Sequence, residues 1–266
     1  MKILFLANKD LASNFALNQI LPQVSKNHDT HLWLSAKVGN NSTLPKQLAT
    51  LKFFEQDLFN QLISPLLPST QSANSYKNFA HLGDYLNTAP IEVNQINSPD
   101  NVERLKGLSP DLIVSIRYGG ILKAPVINIP SKGVINLHSG LLPKYKGVMA
   151  TFWALKNNDT EIGTTLHTIE DSSIDTGQII TISKQQSRPN KSYLWHVLEL
   201  YLQGALDILN AIDTLTNSKV LKVRPQSESN TYFTFPNEAE CLQFEKNGYK
   251  LVDEQDYLAF INSHYL

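Results

Sequence analysis

The sequence predicts an α/β fold in which a mostly parallel sheet is covered by helices on both faces. Two observations lead to this prediction. Short apolar runs such as residues 2–7 (KILFLA) and 111–116 (DLIVSI) lack polar alternation, which is typical of strands buried on both sides. These runs alternate along the chain with longer segments whose apolar residues recur at helical spacing. Such alternation favours parallel strands joined by crossover helices.

The first half of the chain carries most of these elements. Leu48, Leu51 and Leu58 lie on one stripe of a predicted helix over residues 44–67. Ser98 or Asp100 is a suitable N-cap, and Gly107 a suitable end, for a short helix. The predicted order is strand 2–7, helix 12–24, strand 30–35, helix 44–67, helix 76–86, a weak strand 91–96, helix 98–107, and strands 111–116 and 133–139.

The second half changes in character. Two strands rich in Thr and Ile are predicted over residues 163–170 and 177–185, and a long amphipathic helix over residues 191–213. The segments KVLKVRP and TYFTFP are predicted to form a hairpin, followed by two short helices from Asn237. We therefore predict a main domain over residues 1–213 and a small C-terminal extension over residues 214–266.

Composition restricts the classes of partner. The net charge is −1 and the isoelectric point is near 6.7, so no global positive field would attract nucleic acid or an anionic membrane. The single cysteine, Cys241, excludes an internal disulfide and fits a reducing compartment. No apolar run approaches the ~20 residues of a membrane span, and the seven histidines show no metal-ligand spacing. We expect a cytoplasmic protein without a bound metal.

Three polar residues suggest chemistry. Asn136 and His138 are two apart at the end of a predicted buried strand, so their side chains share one face. A lone Asn-x-His is more often a pair satisfied by hydrogen bonds in the core. Asp175, in the loop SSIDTG, supplies a third member. Asn can stabilise an oxyanion, His can accept a proton from an attacking amine, and Asp can orient the imidazole.

The ordered motifs around these residues resemble those of the folate-dependent formyltransferases. The segment is INLHSGLLPKYKGVMATFWALKNNDTEIGTTLHTIEDSSIDTGQII. It holds an Asn-x-His at a strand end, a Leu-Leu-Pro with a basic residue and Gly, a Trp-Ala helix, a Gly-x-Thr strand and an Asp-Thr-Gly loop. The resemblance covers residues 111–181 and implies a Rossmann-like formyltransferase fold. It also implies catalytic roles for Asn136, His138 and Asp175.

The resemblance further implies that 10-formyltetrahydrofolate is the formyl donor. The pterin pocket of such enzymes corresponds to two segments here, RYGGIL and EDSSID. The implied donor-binding residues are Arg117, Tyr118, Gly119, Gly120, Ile121, Leu122, Glu170, Asp171 and Ile174. A simple turn at Gly119–Gly120 and a surface charge at Arg117 are equally good explanations of those residues. His167 lies two residues beyond Thr165 on a predicted strand and could also face the site.

The acceptor amine is open among several branches of this family. The glycinamide ribonucleotide branch has a glycine-rich phosphate loop after its first strand, where this chain reads LANKDLASN. The methionyl-tRNA branch has a C-terminal barrel, for which too few residues follow the long helix. The segments SIRYGGILKAP and GVMATFWALKNND most resemble the branch that formylates nucleotide-linked amino sugars. We therefore expect a dTDP- or UDP-linked 4-amino-4,6-dideoxyhexose as acceptor.

The sequence leaves three alternative functions open. The first is a methionyl-tRNA formyltransferase-like enzyme, the second a formyltransferase for another small amine, and the third an inactive folate- or nucleotide-binding homologue. For the favoured branch, the resemblance implies a homodimer with a role in lipopolysaccharide O-antigen biosynthesis.

Overall fold

A twisted sheet forms the centre of the computed structural model, which describes residues 1–36, 44–67, 75–86 and 88–266. Five neighbouring strands run parallel, the sixth is antiparallel to the fifth, and the seventh is antiparallel to the sixth. The predicted mostly parallel, Rossmann-like α/β fold is confirmed. The strands in spatial order are β3 (Ile91–Glu92), β2 (Asp29–Ser35), β1 (Lys2–Asn8), β4 (Leu112–Ile116), β5 (Val134–His138), β7 (Glu161–Ile169) and β8 (Ile179–Gln186).

Several helices begin at side chains that satisfy their first backbone N–H groups. Asp10 accepts from Ser13, Ser192 accepts from Trp195, and Asn237 forms a capping box with Glu240. The α-helices are α1 (Leu11–Val24), α2 (Lys46–Lys52), α3 (Pro99–Leu108), α4 (Ala124–Ile127), α5 (Ala150–Lys156), α6 (Tyr193–Thr216), α7 (Glu238–Lys246) and α8 (Glu254–His264). A π-helical stretch over Phe53–Ile63 and a 3₁₀ turn over Ser64–Leu66 continue α2.

The sheet is buried on both faces, as its apolar strands require. Ile3 and Phe5 of β1 belong to a large core that includes the apolar residues of α1 and α6. Leu4 and Leu6 point to the opposite face and pack in a second core with residues of α3 and α4. The predicted covering of both faces by helices is therefore confirmed.

The helix predicted over residues 76–86 is mostly wrong, because only His81–Tyr85 forms a short 3₁₀ helix. The side chain of Asn18 on α1 accepts from the Lys77 N–H at 2.7 Å and donates to the Lys77 carbonyl at 2.8 Å. The second bond occupies the Lys77 carbonyl, which an α-helix would use as an acceptor in its first turn. The segment is thus held by a side chain from another helix.

The weak strand predicted over residues 91–96 pairs only at Ile91 and Glu92. Beyond Val93, the Asn94 side chain accepts the hydrogen bond from the Ala36 N–H at 2.8 Å. A side chain thereby replaces the backbone partner and ends the ladder.

The hairpin predicted in the C-terminal extension differs from the structure. Arg224 pairs with Ile179 of β8, and β9 (Tyr232–Phe233) pairs in parallel with β6 (Lys146–Gly147). The two segments therefore use their backbone groups on the main domain. Stacking of Phe233 on Trp153, with ring centroids 4.8 Å apart, helps hold β9 there.

The two helices predicted after Asn237 are present as α7 and α8 and pack on the main domain. Phe244 of α7 stacks on Phe152, and Phe260 of α8 contacts Phe15 of α1 edge to face. Helix α6 itself runs past residue 213, so the division at that point stays a prediction. Within the described ranges, none of the helices is both long and apolar enough to cross a membrane.

Candidate active site

Strand β5 ends with Asn136 and His138 on one face of the sheet. Its apolar residues Ile135 and Leu137 lie in the core on the opposite face. Antiparallel pairing with β7 places His167 directly opposite Asn136, and Thr165 opposite His138. The two-residue spacing seen in the sequence therefore produces a polar group on a buried face.

His138 is buried, and hydrogen-bond acceptors lie near both of its ring nitrogens. Its Nε2 lies 2.7 Å from the carbonyl oxygen of Tyr145, and its Nδ1 lies 3.4 Å from Oδ2 of Asp175. A neutral imidazole carries only one N–H, so the ring donates to both partners only when it is protonated. This arrangement suits an imidazolium facing a carboxylate.

Asp175 reaches this face because the loop from residue 170 to 178 folds back over β7. Its backbone has a φ of 55°, in the left-handed region that non-glycine residues seldom adopt. The Gly147 N–H donates to Oδ2 at 2.8 Å, and Nε2 of His167 lies 3.3 Å from Oδ1. Burial disfavours the charged carboxylate, but His138, His167 and the Gly147 N–H outweigh it and lower the pKa of Asp175 to about 2.

His167 is a further member of the group that the sequence indicated only by its strand spacing. Its Nε2 lies 3.1 Å from Nδ2 of Asn136, and its Nδ1 lies 2.8 Å from the carbonyl of Thr168. The Thr168 carbonyl requires a proton on Nδ1. When the ring is neutral, Nε2 therefore accepts from the Asn136 amide; when the ring is protonated, the Nε2–H faces Oδ1 of Asp175. The second amide hydrogen of Asn136 remains for another acceptor.

The structure thus brings Asn136, His138 and Asp175 together around one point of the sheet, with His167 between the first and the last. The Tyr145 carbonyl, the Gly147 N–H and the Gln226 side chain also contact this group. Backbone groups carry no sequence signal, and Gln226 lies in a segment without a recognisable motif, so sequence analysis missed all three.

Arg117, predicted to bind the donor, enters a buried ionic cluster. Its Nε donates to Oδ2 of Asp10 at 2.9 Å, and its Nη2 donates to Oε1 of Glu55 at 3.0 Å. Burial raises the pKa of Glu55 to about 7, although Arg117 opposes this shift. Burial disfavours the Arg117 cation, but Asp10 and Glu55 outweigh that effect and raise the arginine's pKa. Its described contacts are those of a structural counter-ion.

The other residues of the loop after β4 lie beside the end of β5, because Ile116 pairs with Leu137. The Gly119 N–H donates to Ser35 Oγ at 2.9 Å, and the Tyr118 hydroxyl donates to the Val93 carbonyl. A side chain on Gly120 would lie 3.1 Å from the Tyr118 ring. Ile121 is 53% exposed whereas Leu122 is buried in the second core, so this loop presents one apolar side chain to solvent.

The predicted donor-binding residues on the loop that carries Asp175 are not buried. Glu170 and Asp171 are exposed, and Ile174 is half-buried. Glu170 accepts from the Thr168 hydroxyl and the Gln178 amide, and Asp171 accepts from the Ser173 N–H. Their described hydrogen bonds serve to shape the loop that carries Asp175.

The described residues form no metal-ligand cluster, and one small pocket lies apart from this group. In those ranges, no set of three or more His, Cys, Asp or Glu side chains is placed to hold a metal ion. A small pocket lies between α6 and α8, lined in part by Trp195, Asp256 and Tyr257. It shares no lining residue with the Asn136, His138 and Asp175 group.

The fold and the site define an α/β domain with an Asn-His-Asp group at the carboxyl end of a parallel strand. Residues 67–192 match the family model described as formyl transferase. The matched region contains all three residues of the group and both predicted donor loops. The resemblance stated from the sequence is therefore confirmed.

Individual relatives agree with the family match. A methionyl-tRNA formyltransferase of Geobacter sulfurreducens is 30% identical over 138 residues, which are 52% of this chain and 43% of that protein. The match thus spans less than half the length of this curated relative.

Solved structures show the same fold. An N-formyltransferase of Helicobacter canadensis, in complex with folinic acid and dTDP-3-aminofucose, has a TM-score of 0.57 at 23% identity and covers 88% of this chain and 71% of that one. The formyltransferase PseJ of Anoxybacillus kamchatkensis, in complex with UDP-4,6-dideoxy-4-formamido-L-AltNAc and tetrahydrofolate, has a TM-score of 0.51 at 19% identity over 97% of both chains. At these identities the likeness shows the fold.

Proposed function

We propose that this protein transfers a formyl group from 10-formyltetrahydrofolate to the amino group of a nucleotide-linked amino-deoxysugar, with a 4-amino-4,6-dideoxyhexose on dTDP or UDP as the favoured acceptor. The proposal rests on one observation above others. Asn136, His138 and Asp175 converge on a single face, with the His138–Asp175 pair 3.4 Å apart. These are the groups that direct transfer of an acyl group to an amine needs.

In the proposed reaction the sugar amine attacks the formyl carbon, and a carbon–nitrogen bond forms. The free amide hydrogen of Asn136 donates to the developing oxyanion. His138 accepts the proton that the amine releases, and the same proton passes to the folate nitrogen as its bond to the formyl carbon breaks. Asp175 orients the ring and stabilises its charged form.

The base role of His138 sets a requirement on this geometry. Both ring nitrogens face acceptors in the structure, with Nε2 only 2.7 Å from the Tyr145 carbonyl. A nitrogen must be deprotonated and face the substrate before it can accept a proton. Hydrogen bonds in unliganded sites often rearrange in this way when substrate binds. In its protonated form, the ring instead assists Asn136 by polarising the formyl oxygen.

For the donor, the loop from Arg117 to Leu122 remains the proposed pterin wall, together with Glu170, Asp171 and Ile174. The exposed side chain of Ile121, next to the end of β5, supports an apolar contact there. Of this set, Arg117 has the least support as a direct contact, because Asp10 and Glu55 occupy its guanidinium. The folate ligands of the Helicobacter and Anoxybacillus proteins support the choice of donor.

For the acceptor, the N-terminus of α1 argues against glycinamide ribonucleotide. A phosphate loop would use that helix end, but here the Asp10 carboxylate already accepts from the Ser13 N–H at 2.8 Å. Asp10 is fully buried and is paired with Arg117, so the chain supplies its own anion at this position. The nucleotide-sugar ligands of the two solved structures favour the sugar branch.

The second candidate is a methionyl-tRNA formyltransferase-like activity, which the 30% identity to the Geobacter protein favours. A net charge of −1 gives it less support, because a large RNA contact surface usually carries positive charge. We also propose that the enzyme acts in the cytoplasm as a homodimer, in lipopolysaccharide O-antigen biosynthesis. Sedimentation at several concentrations would test the dimer.

The decisive experiment incubates the protein with 10-formyltetrahydrofolate and a panel of dTDP- and UDP-linked amino sugars, followed by mass analysis for a gain of one CO. Methionyl-tRNA and free small amines form parallel arms. Asn136→Ala should lower the rate by about 10²–10³-fold, while Asn210→Ala, an exposed residue of α6, should leave it unchanged. Formylation of methionyl-tRNA alone would establish the second candidate, and binding of folate without transfer in any arm would indicate an inactive homologue.

A further inference from the structure

The segment from residue 224 to residue 235, named here the C-terminal strap, lies across the two loops that complete the candidate active site. Arg224 exchanges backbone hydrogen bonds with Ile179, at the end of the Asp175 loop. Farther along, the Phe233 carbonyl accepts from the Val148 N–H at 2.8 Å. One end of the strap therefore holds the loop that carries Asp175, and the other holds the segment that carries Gly147.

Gln226 makes the contact nearest to the catalytic carboxylate. Its Nε2 donates to the Asp175 carbonyl at 2.9 Å and to the Gly177 carbonyl at 2.7 Å. Both partners are acceptors only, so the amide nitrogen must face them. The two hydrogen bonds bracket Thr176 and fix the backbone on both sides of it.

Asp175 has a conformation that needs such support. Its φ of 55° is unfavourable for a residue with a side chain, and such residues persist where their surroundings over-determine them. Its two carboxylate oxygens also have separate partners, His138 and the Gly147 N–H on Oδ2 and His167 on Oδ1. These contacts leave little tolerance for a displaced backbone.

We propose that Gln226 is a positioning residue, which holds the Asp175 backbone so that its carboxylate meets His138 and His167 during formyl transfer. This inference rests on the proposed function and assigns a role to part of the C-terminal extension. Gln226 acts through Asp175, and its effect should appear in the catalytic step and not in substrate binding.

The main variant is Gln226→Met, which keeps the side-chain length and removes both donated hydrogen bonds. We expect kcat to fall about tenfold to a hundredfold, because a small misplacement of a catalytic group has effects of that size. The KM values for donor and acceptor should stay within about twofold. The matched control is Gln243→Met on α7, an exposed residue whose side-chain amide donates to Asn247, and it should change neither constant.

A double-mutant cycle separates positioning from general weakening of the fold. In an Asp175→Asn background, Gln226→Met should have little further effect on kcat, because its target is already disabled. If the two effects multiply instead, Gln226 acts independently of Asp175 and the inference is overturned. Gln226→Glu, whose ionised side chain cannot donate, should behave like Gln226→Met and serves if that variant does not fold.

A readout that needs no turnover is the titration of the Asp175 carboxyl, followed by carbon NMR. The charged and polar groups that face it are His138 from β5, His167 from β7 and the Gly147 N–H from β6. Loosening the loop should move the carboxylate away from these groups. The pH midpoint of the Asp175 titration should therefore rise in the Gln226→Met variant but not in the Gln243→Met variant. An unchanged midpoint overturns the inference. Absence of formyl transfer by the wild-type protein would instead overturn the proposed function, and the titration would still decide the role of Gln226.

Discussion

His138 and Asp175 meet from two different parts of the chain, with Nδ1 of the ring 3.4 Å from Oδ2 of the carboxylate. The strand β5 fixes the histidine, whereas a loop that folds back over β7 fixes the aspartate. The same oxygen also accepts from the Gly147 N–H at 2.8 Å. The pair is therefore sensitive to changes in three separate segments.

His138→Gln should lower kcat by about 10²–10⁴-fold, because the ring is the proposed proton acceptor. It should also raise the pKa of Asp175 above its value of about 2. Burial opposes ionisation of this carboxyl, and His138 is the largest of the influences that outweigh burial. Steady-state rates and a carbon NMR titration of the carboxyl would measure the two effects. A wild-type rate with an unchanged titration would contradict both assignments.

Asp175→Asn should reduce the dependence of stability on acid. The pKa of Asp175 is lowered to about 2 in the folded protein, from about 3.9 in an unfolded chain. Its ionisation therefore contributes stability above about pH 4, which is lost as the pH falls towards about 2 and which amounts to about 2–3 kcal/mol.

Urea unfolding between pH 6 and pH 3 provides the measurement. The wild-type free energy of unfolding should fall more steeply below about pH 4 than that of the variant. Parallel curves for the two proteins would show that Asp175 is not ionised more readily when folded.

Several of these features could be anticipated from the sequence. Uninterrupted apolar runs identified the buried strands, because only strands covered on both faces can do without polar alternation. The two-residue spacing of Asn136 and His138 placed both side chains on one face for the same geometric reason. Asp175 was added because an Asp completes an Asn-His set for acyl transfer, and the family resemblance supported it; the fold-back of its loop has no periodic pattern.

The misplaced elements share a different cause. Asn18 takes the backbone groups of Lys77, and the Asn94 side chain replaces a strand partner, so two segments lost their predicted structure to single polar side chains. Such contacts depend on which residues meet in three dimensions. The strap residue Gln226 was hidden for the same reason, because its partners are backbone carbonyls far away in the chain.

Arg117→Met should destabilise the protein by about 3–5 kcal/mol, because it leaves Asp10 and Glu55 buried without their cation. Equilibrium unfolding in urea would measure the loss, and folate titration of the folded fraction would measure donor affinity. If Arg117 is mainly a counter-ion, stability falls and donor affinity changes little. The opposite result, with full stability and weak donor binding, would return Arg117 to the pterin pocket that the sequence resemblance implied.

Gly147→Ala should weaken both the fold and the reaction. Gly147 has a φ of +98°, and a Cβ at this position would lie 2.1 Å from the Phe233 carbonyl oxygen. The backbone must therefore move away from β9, and the Gly147 N–H moves with it relative to Asp175. We expect a loss of about 1–3 kcal/mol in the free energy of unfolding and a decrease of about 10²-fold in kcat.

The control is Gly107→Ala near the end of α3, where an added Cβ meets nothing within 4 Å and should stabilise the helix by about 0.5–1 kcal/mol. Urea unfolding and steady-state rates on both variants test the contrast. A wild-type kcat in the Gly147→Ala variant would show that the Gly147 N–H does not hold the Asp175 carboxylate in place for the proposed reaction.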